Sequence, residues 1–102
     1  MENRRFEKGR CYFLVGYLDR EFKFPFVDTY VFLGMRNGER SARTWMFQDV
    51  HSFFKFGEQR DADEANEIDV LALDENGLET ILDAQGLAAE FERRYHASRM
   101  AA

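Results

Sequence analysis

The stretch Asp28–Asp49 reads DTYVFLGMRNGERSARTWMFQD and contains the clearest structural signal in the chain. Two strand-like runs flank the pair Asn37-Gly38. Asn-Gly between apolar runs is the strongest short-range hairpin signal, because a type I′ turn needs positive φ at both central residues. We therefore predict an antiparallel hairpin with these two residues as its loop, a register that places Phe32 opposite Arg43.

Alternation along the two strands divides the side chains of the hairpin into two faces. One face is mainly aliphatic and comprises Thr29, Val31, Leu33, Met35, Ala42, Thr44 and Met46. The other, the aromatic face, places four rings around one arginine and comprises Tyr30, Phe32, Arg43, Trp45 and Phe47. These five residues are the candidate binding residues, because Trp, Tyr and Arg are favoured anchors of protein interfaces. A helical layer packed over them would make them core instead.

The order of the predicted elements favours one α+β domain over residues 1–102. The apolar run Cys11–Leu18 predicts a central strand covered on both faces, and Ile68–Leu73 predicts a short one. Asp49 is placed to cap a short helix that ends near Gly57. We predict a two-layer α+β domain, with an antiparallel or mixed sheet of about four strands and helices packed on one face.

The last third of the chain predicts further helix. Asn76 followed by Glu79 resembles a capping box, Gly86 is expected to break or kink the helix that begins there, and a final helix reaches about Ala97. Three segments are expected outside regular structure: the fraying ends 1–10 and 98–102, and the solvated acidic loop 58–67.

Charge and composition exclude several classes of function. A net charge of −5 disfavours binding to nucleic acid or to an anionic membrane, since polyanion binding depends on a positive field. No run approaches the roughly 18 apolar residues of a membrane span. The single cysteine, Cys11, cannot form an internal disulfide, which fits a reducing compartment, so a cytoplasmic location is expected.

The residues that could carry chemistry are few and poorly arranged. Asp49, His51 and Ser52 supply the residue types of a catalytic triad, but they lie too close on one helical turn to converge. His51 and His96 form no metal-binding spacing, and the acidic run 58–67 lacks the glycine and distant glutamate of a calcium loop. We therefore predict no catalytic residues, no metal and no cofactor.

These patterns favour a small acidic, non-catalytic protein-binding module that uses the aromatic face and the acidic loop. Its partner is expected to be another protein or a second copy of the chain. The alternative is a small-ligand-binding domain or enzyme in which the aromatic residues and Arg43 line a pocket between sheet and helices. Single-stranded nucleic acid on the aromatic face is disfavoured by the net charge and by the lack of an RNA-binding sequence motif.

Overall fold

The computed structural model describes residues 6–38 and 42–101, with the side chains of the last helix described as far as Arg94. Its elements are the strands β1 (Cys11–Tyr17), β2 (Pro25–Asn37), β3 (Arg43–Asp49), β4 (Val70–Leu73) and β5 (Ile81–Leu82), and the helices α1 (Val50–Phe56) and α2 (Ala84–Ala101). The strands form one sheet in the order β4-β3-β2-β1-β5, and each pair is antiparallel. The predicted α+β class is confirmed, with five strands where about four were expected.

The aromatic face of the sheet holds the core. Phe47 is completely buried, and the rings of Tyr12, Tyr30 and Phe32 surround it. Leu78, from a short 3-10 turn, and the partly buried Phe6 pack onto these rings. Fully burying one such side chain contributes about 1.5–3 kcal/mol, so this cluster is the principal source of stability.

The opposite face of the sheet, here called the helix face, carries Cys11, Phe13, Val15, Val31 and Gln48. Gln48 is buried there, and its amide donates to the hydroxyl of Ser52 on α1. The hydroxyl of Tyr17, at the end of β1 on the same alternation, donates to Glu90 on α2. Both helices therefore lie on one face, as the sequence predicts.

The predicted two-residue hairpin loop is wrong. Asn37 pairs with Arg43, the loop spans residues 38–42, and Phe32 lies opposite Phe47. Pairing these two rings buries both of them, a larger gain than a tight Asn-Gly turn provides. The register differs from the predicted one by four residues, an even number, so Phe32 stays on the face of Trp45 and Phe47.

A bulge at Gly34 changes the outer part of this hairpin. The pairing shifts by one residue between Phe32 and Gly34, and Gly34 has a φ of 119° that an L side chain rarely adopts. Beyond the bulge Met35 pairs with Trp45. Met35 was predicted on the aliphatic face, and the bulge moves it to the aromatic one.

The helix predicted from Asn76 is also wrong. Asn76 makes no side-chain cap, and Gly77–Thr80 forms a 3-10 turn that leads into β5. Ile81 pairs with β1 and is completely buried, so extending the sheet removes more apolar surface from water than a helix would. Gly86 does not break α2, because it lies in the first turn and its amide donates to Asp83.

The helix predicted to begin at the Asp49 cap is confirmed. The Asp49 carboxylate accepts the backbone N–H of Ser52, and α1 ends at Gly57 with positive φ. The acidic segment 58–67 is mainly exposed and contains one 3-10 turn, Glu64–Asn66. From Phe6 onward the lead-in predicted to fray is held, since Gly9 and Arg10 exchange backbone hydrogen bonds with Phe32. Residues 1–5 and 102 lie outside the description.

Candidate functional site

The structure gathers the rings of the predicted binding residues but leaves little of them accessible. Tyr30, Phe32 and Phe47 are buried in the core, and Trp45 is half-buried against it. Arg43 is exposed: its guanidinium donates to Glu75 at 2.7 Å and lies 5.7 Å from the centre of the Trp45 ring. A partner on this side can reach Arg43 and the edge of Trp45, whereas contact with the buried rings requires opening the core.

The accessible apolar side chains lie elsewhere, on a two-stranded extension of the sheet. β5 pairs only with Phe13 and Leu14 of β1, and β3 first pairs with β2 at Tyr30. The segment Val15–Val27, here called the hairpin arm, therefore extends beyond both neighbouring strands. Its exposed large apolar residues are Leu18, Phe22, Phe24, Phe26 and Val27.

The tip of the hairpin arm is ordered by hydrogen bonds within the turn. The Asp19 carboxylate accepts the backbone N–H groups of Lys23 and Phe24, and Leu18 donates to the carbonyl of Phe24. Desolvation is the largest single effect and raises the pKa of the Asp19 carboxyl, but the backbone N–H groups together outweigh it, so this pKa lies below its ordinary value. This arrangement fixes Leu18 and Phe24 in water, where they are 79% and 61% exposed.

Phe22 carries the most unusual backbone geometry of the arm. Its φ is 62°, a conformation that is a genuine outlier for a bulky non-glycine residue. Such strain persists only where surrounding contacts over-determine it, and it clusters at functional sites. Here the ring of Phe22 packs edge-on against Tyr17, with centroids 5.1 Å apart, and the guanidinium of Arg94 lies 4.1 Å above it.

Helix α2 braces the arm through a small polar network. The Tyr17 hydroxyl donates to Glu90 at 2.6 Å, and Arg94 donates to the same carboxylate oxygen at 3.0 Å. Arg93 donates to its other oxygen. The hydrogen bond from Tyr17 is the largest effect on the pKa of Glu90; together with the hydrogen bonds from Arg94 and Arg93 it outweighs the opposing desolvation and lowers this pKa to about 2. The arm is therefore presented in a fixed direction relative to α2.

Replacing Glu90 with glutamine is expected to reduce the acid sensitivity of the fold. The folded pKa of about 2 lies below the ordinary value of 4.5, so the Glu90 carboxylate stabilises the protein above pH 4.5 and this contribution is lost as the pH falls toward 2. Between pH 4.5 and pH 2 the unmodified chain should lose about 1–2 kcal/mol more of its free energy of unfolding than the Glu90→Gln variant does. This value is discounted because Arg93 is exposed. Urea denaturation at several pH values measures it.

The matched control for this change is Glu92→Gln, on the exposed side of α2. It should leave the pH dependence within about 0.5 kcal/mol of the unmodified chain. Equal effects of the two substitutions would show that the Tyr17–Glu90–Arg94 network does not hold the arm.

A cavity of about 210 Å³ lies between the base of the hairpin arm and the start of α1. It is lined by Val27, Asp28, Thr29, Tyr30, Asp49, Val50, His51 and Asp69. Two of its carboxylates already have partners: Asp69 accepts from the Tyr30 hydroxyl, and Asp49 accepts from Ser52 and from the Asp69 amide. Burial and the hydrogen bond to Asp69 raise the pKa of Tyr30 well above its ordinary value, so its hydroxyl stays protonated. Arg43 is not among the lining residues.

The residues with nucleophilic side chains have structural surroundings. Ser52 is buried, and its hydroxyl donates to Asp49 while accepting from the Gln48 amide, so it serves the cap of α1. Cys11 was predicted at the start of a buried strand, but it is exposed. Within residues 6–38 and 42–101, no group of three or more His, Cys, Asp or Glu side chains is placed to hold a metal ion.

Comparison with protein-family models, with curated proteins and with solved structures gives no significant match. The geometry of this chain is therefore the basis for inferring its function. Across the part of the chain that the structure describes, each helix is too short or too polar to cross a lipid bilayer.

The hairpin arm is not recognisable as a site from its sequence pattern. The run Asp19–Phe24, DREFKF, does place phenylalanines at alternate positions among charged residues. That pattern predicts a half-buried strand. It gives no indication that the neighbouring strands end before the arm does, because strand lengths depend on tertiary pairing.

Proposed function

We propose that this chain is a non-catalytic protein-binding module of the cytoplasm that docks through the hairpin arm. The observation that carries the proposal is a fixed set of apolar side chains at the tip, in which Leu18 and Phe24 face water and strained Phe22 is 47% exposed beside Tyr17 and Arg94. Large contiguous apolar patches are rare on soluble monomers, and those that occur often mark interaction sites. The hydrogen bonds of Asp19 and Glu90 support the proposal, because a pre-ordered surface loses little conformational entropy on binding.

Two further surfaces extend this proposal. Arg43 and the exposed edge of Trp45 form a cationic and aromatic contact of the kind found at interface anchors. The acidic loop 58–67 provides a negative field that speeds encounter with a basic surface and weakens with salt. The hairpin arm supplies the apolar contact, and these surfaces favour one orientation of the partner.

The alternative proposal, a small-ligand domain or enzyme, places the ligand beside Arg43. Arg43 is engaged with Glu75 on the surface, and the cavity near His51 is below the roughly 300–1,000 Å³ typical of ligand sites. We therefore favour the binding module.

Photo-crosslinking tests the proposal directly. With a photoreactive phenylalanine analogue in place of Phe24, irradiation in the host cell is expected to give a discrete covalent adduct with protein. The same analogue in place of Phe54, a ring on α1 that is 92% exposed, is the control and should give none. Introducing Phe22→Ser beside the analogue should abolish the adduct. Absence of any adduct at position 24 would remove the hairpin arm as a docking surface.

A further inference from the structure

The outer edge of β4 carries unpaired backbone groups. β4 is the terminal strand of the sheet, and among the described residues it pairs with β3 alone. The backbone N–H of Asp49 donates to the carbonyl of Asp69, so Asp69 faces β3, and alternation turns Val70 and Ala72 away from β3. The N–H and C=O groups of these two residues therefore point outward, at the free edge of the sheet.

The chain itself shows that this edge accepts a further strand. Asp63 and Ile68 exchange both backbone hydrogen bonds, at 2.9 and 2.8 Å, in a single antiparallel bridge just before β4. Ile68 lies on the same alternation as Val70 and Ala72, so Asp63 occupies the first position of a sixth strand beside them. The residues before Asp63 are exposed and make no backbone bond to β4. The sixth strand thus begins along the edge and stops after one residue pair.

β4 lacks most of the features that protect an edge strand. Natural edges are blunted by proline, by charged side chains, by bulges or by a covering segment. The strand Val70–Leu73 contains neither charge nor proline, and its register with β3 runs without a shift. After Leu73 the chain crosses the aromatic face toward β5 at the opposite edge, with Leu78 packed on the core, so this segment does not cover the outer side of β4. Although β4 has only four residues, its two outward-facing residues offer twice the hydrogen bonds of the bridge at Asp63.

Charge identifies the occupant of this edge as a basic segment. Residues 61–92 contain eleven of the 19 acidic residues and none of the 14 Lys and Arg residues of the chain. β4 lies within this range, with Asp69 at its start and Asp74 and Glu75 at its end. Among the described residues, Arg43 alone forms an ion pair with any of these three acids, through Glu75. The field along the edge is therefore negative and attracts Lys and Arg side chains.

The same charges disfavour a second copy of the chain at this edge. Antiparallel pairing of two β4 strands would place the acids that flank one strand beside those that flank the other. Like charges across an antiparallel pair are destabilising, and the net charge of −5 adds to the repulsion. A basic segment from a different protein meets the opposite situation, because its charges compensate those of the edge.

We propose that the outer edge of β4 binds an extended basic segment of another protein, which adds to the sheet as a strand. The backbone groups of Val70 and Ala72 supply the hydrogen bonds, as in other proteins that bind peptides by adding a strand. Apolar side chains at alternate positions of the segment rest against Leu71 and Leu73, which are only half-buried, and its Lys or Arg side chains approach the flanking acids. β3 separates β4 from the strands of the hairpin arm, so this contact is distinct from the proposed docking surface and does not depend on it.

Amide hydrogen exchange measured by NMR tests the proposal on the unmodified full chain. The probe is an acetylated peptide of alternating lysine and valine, Lys-Val-Lys-Val-Lys-Val-Lys, and the control peptide has glutamate in place of each lysine. With the lysine peptide bound, the N–H groups of Val70 and Ala72 should exchange at least about tenfold more slowly. Those of Leu71 and Leu73 face β3 and should change by less than about twofold. The glutamate peptide should protect none of them.

Two substitutions at one position separate backbone pairing from attraction by charge. Ala72→Pro removes an N–H that faces away from β3, a position at which an edge strand tolerates proline. The affinity for the lysine peptide, measured by fluorescence anisotropy, should fall at least about tenfold, because a hydrogen bond of the added strand is lost and the ring obstructs it. Ala72→Thr keeps the N–H and should bind within about twofold of the unmodified chain. Circular dichroism checks that both variants fold; should the proline variant unfold, the exchange measurement on the unmodified chain still decides.

The outcomes separate this inference from the proposed function. Binding of the lysine peptide without slower exchange at Val70 and Ala72 would overturn the added strand, and equal binding of the glutamate peptide would overturn the basic occupant. The proposal also fails if the lysine peptide does not bind at concentrations up to about 1 mM. A dimer that protects both N–H groups without peptide would assign the edge to a second copy instead. Crosslinking at position 24 tests the hairpin arm alone, so the proposed function stands or falls independently of these results.

Discussion

Replacing Phe47 with alanine is expected to lower the free energy of unfolding by about 3–5 kcal/mol. Phe47 is completely buried, and its ring lies 5.2 Å from that of Phe32, 5.7 Å from Phe6 and 6.1 Å from Tyr12. Deleting the ring removes apolar surface from the centre of the core and leaves a cavity. The three neighbouring rings cannot move to fill this cavity, because Phe32 and Tyr12 are held in the sheet and Phe6 is held in the hydrogen-bonded lead-in. Since small domains are stable by about 5–15 kcal/mol, this loss is a large share of the total.

Urea denaturation followed by Trp45 fluorescence measures the loss. The matched control is Phe54→Ala, the same chemical change at a solvent-facing position of α1, with an expected effect within about 0.5 kcal/mol. If the two substitutions cost the same, Phe47 does not lie at the centre of the core.

Replacing Gln48 with methionine is expected to cost about 2–4 kcal/mol, although the two side chains are similar in size. Gln48 is completely buried on the helix face. Its amide donates to Ser52 and to the carbonyl of Gly57, and its oxygen accepts the backbone N–H of Gln59 at 2.8 Å. Methionine fills the space but removes the partner of the Gly57 carbonyl and of the Gln59 N–H, which costs about 1–3 kcal/mol for a group that is left buried, while Ser52 keeps its hydrogen bond to Asp49.

The measurement for this variant combines denaturation with amide hydrogen exchange. The amide of Gln59 should exchange faster in Gln48→Met, whereas Gln59→Met is a control that removes an exposed side-chain contact and should change stability by less than about 1 kcal/mol. An unchanged exchange rate at position 59 would mean that Gln48 does not hold the turn after α1.

Local sequence patterns correctly predicted those features of the fold that depend only on residues close together in the chain. Alternation correctly placed Tyr30, Phe32, Trp45 and Phe47 on one face, and Asp49 correctly began α1. The assignment of faces survives the error in register, because a shift by an even number of residues preserves the faces. The cap at Asp49 is local and does not involve the register. The α+β class followed from the order of such elements.

The parts that local patterns did not predict depend on contacts between distant residues. Asn37-Gly38 marked the turn but not its length, because the pairing of Phe32 with Phe47 determines where the loop closes. Ile81 was read as helical, since its burial against β1 appears only in the assembled sheet. The exposure of the arm is a further case: a phenylalanine in the run DREFKF looks the same in sequence whether a neighbouring strand covers it or not.

The bulge at Gly34 absorbs one extra residue in this strand. Without Gly34 the ladder would run from Phe32 opposite Phe47 through Leu33 opposite Met46 to Met35 opposite Trp45, so the outer part of the hairpin would keep its partners. Insertion of the glycine therefore leaves both faces of the outer hairpin unchanged, because the bulge takes up the odd residue. Homologous chains are expected to gain or lose this residue together with the bulge, and to tolerate insertions in the loop that follows.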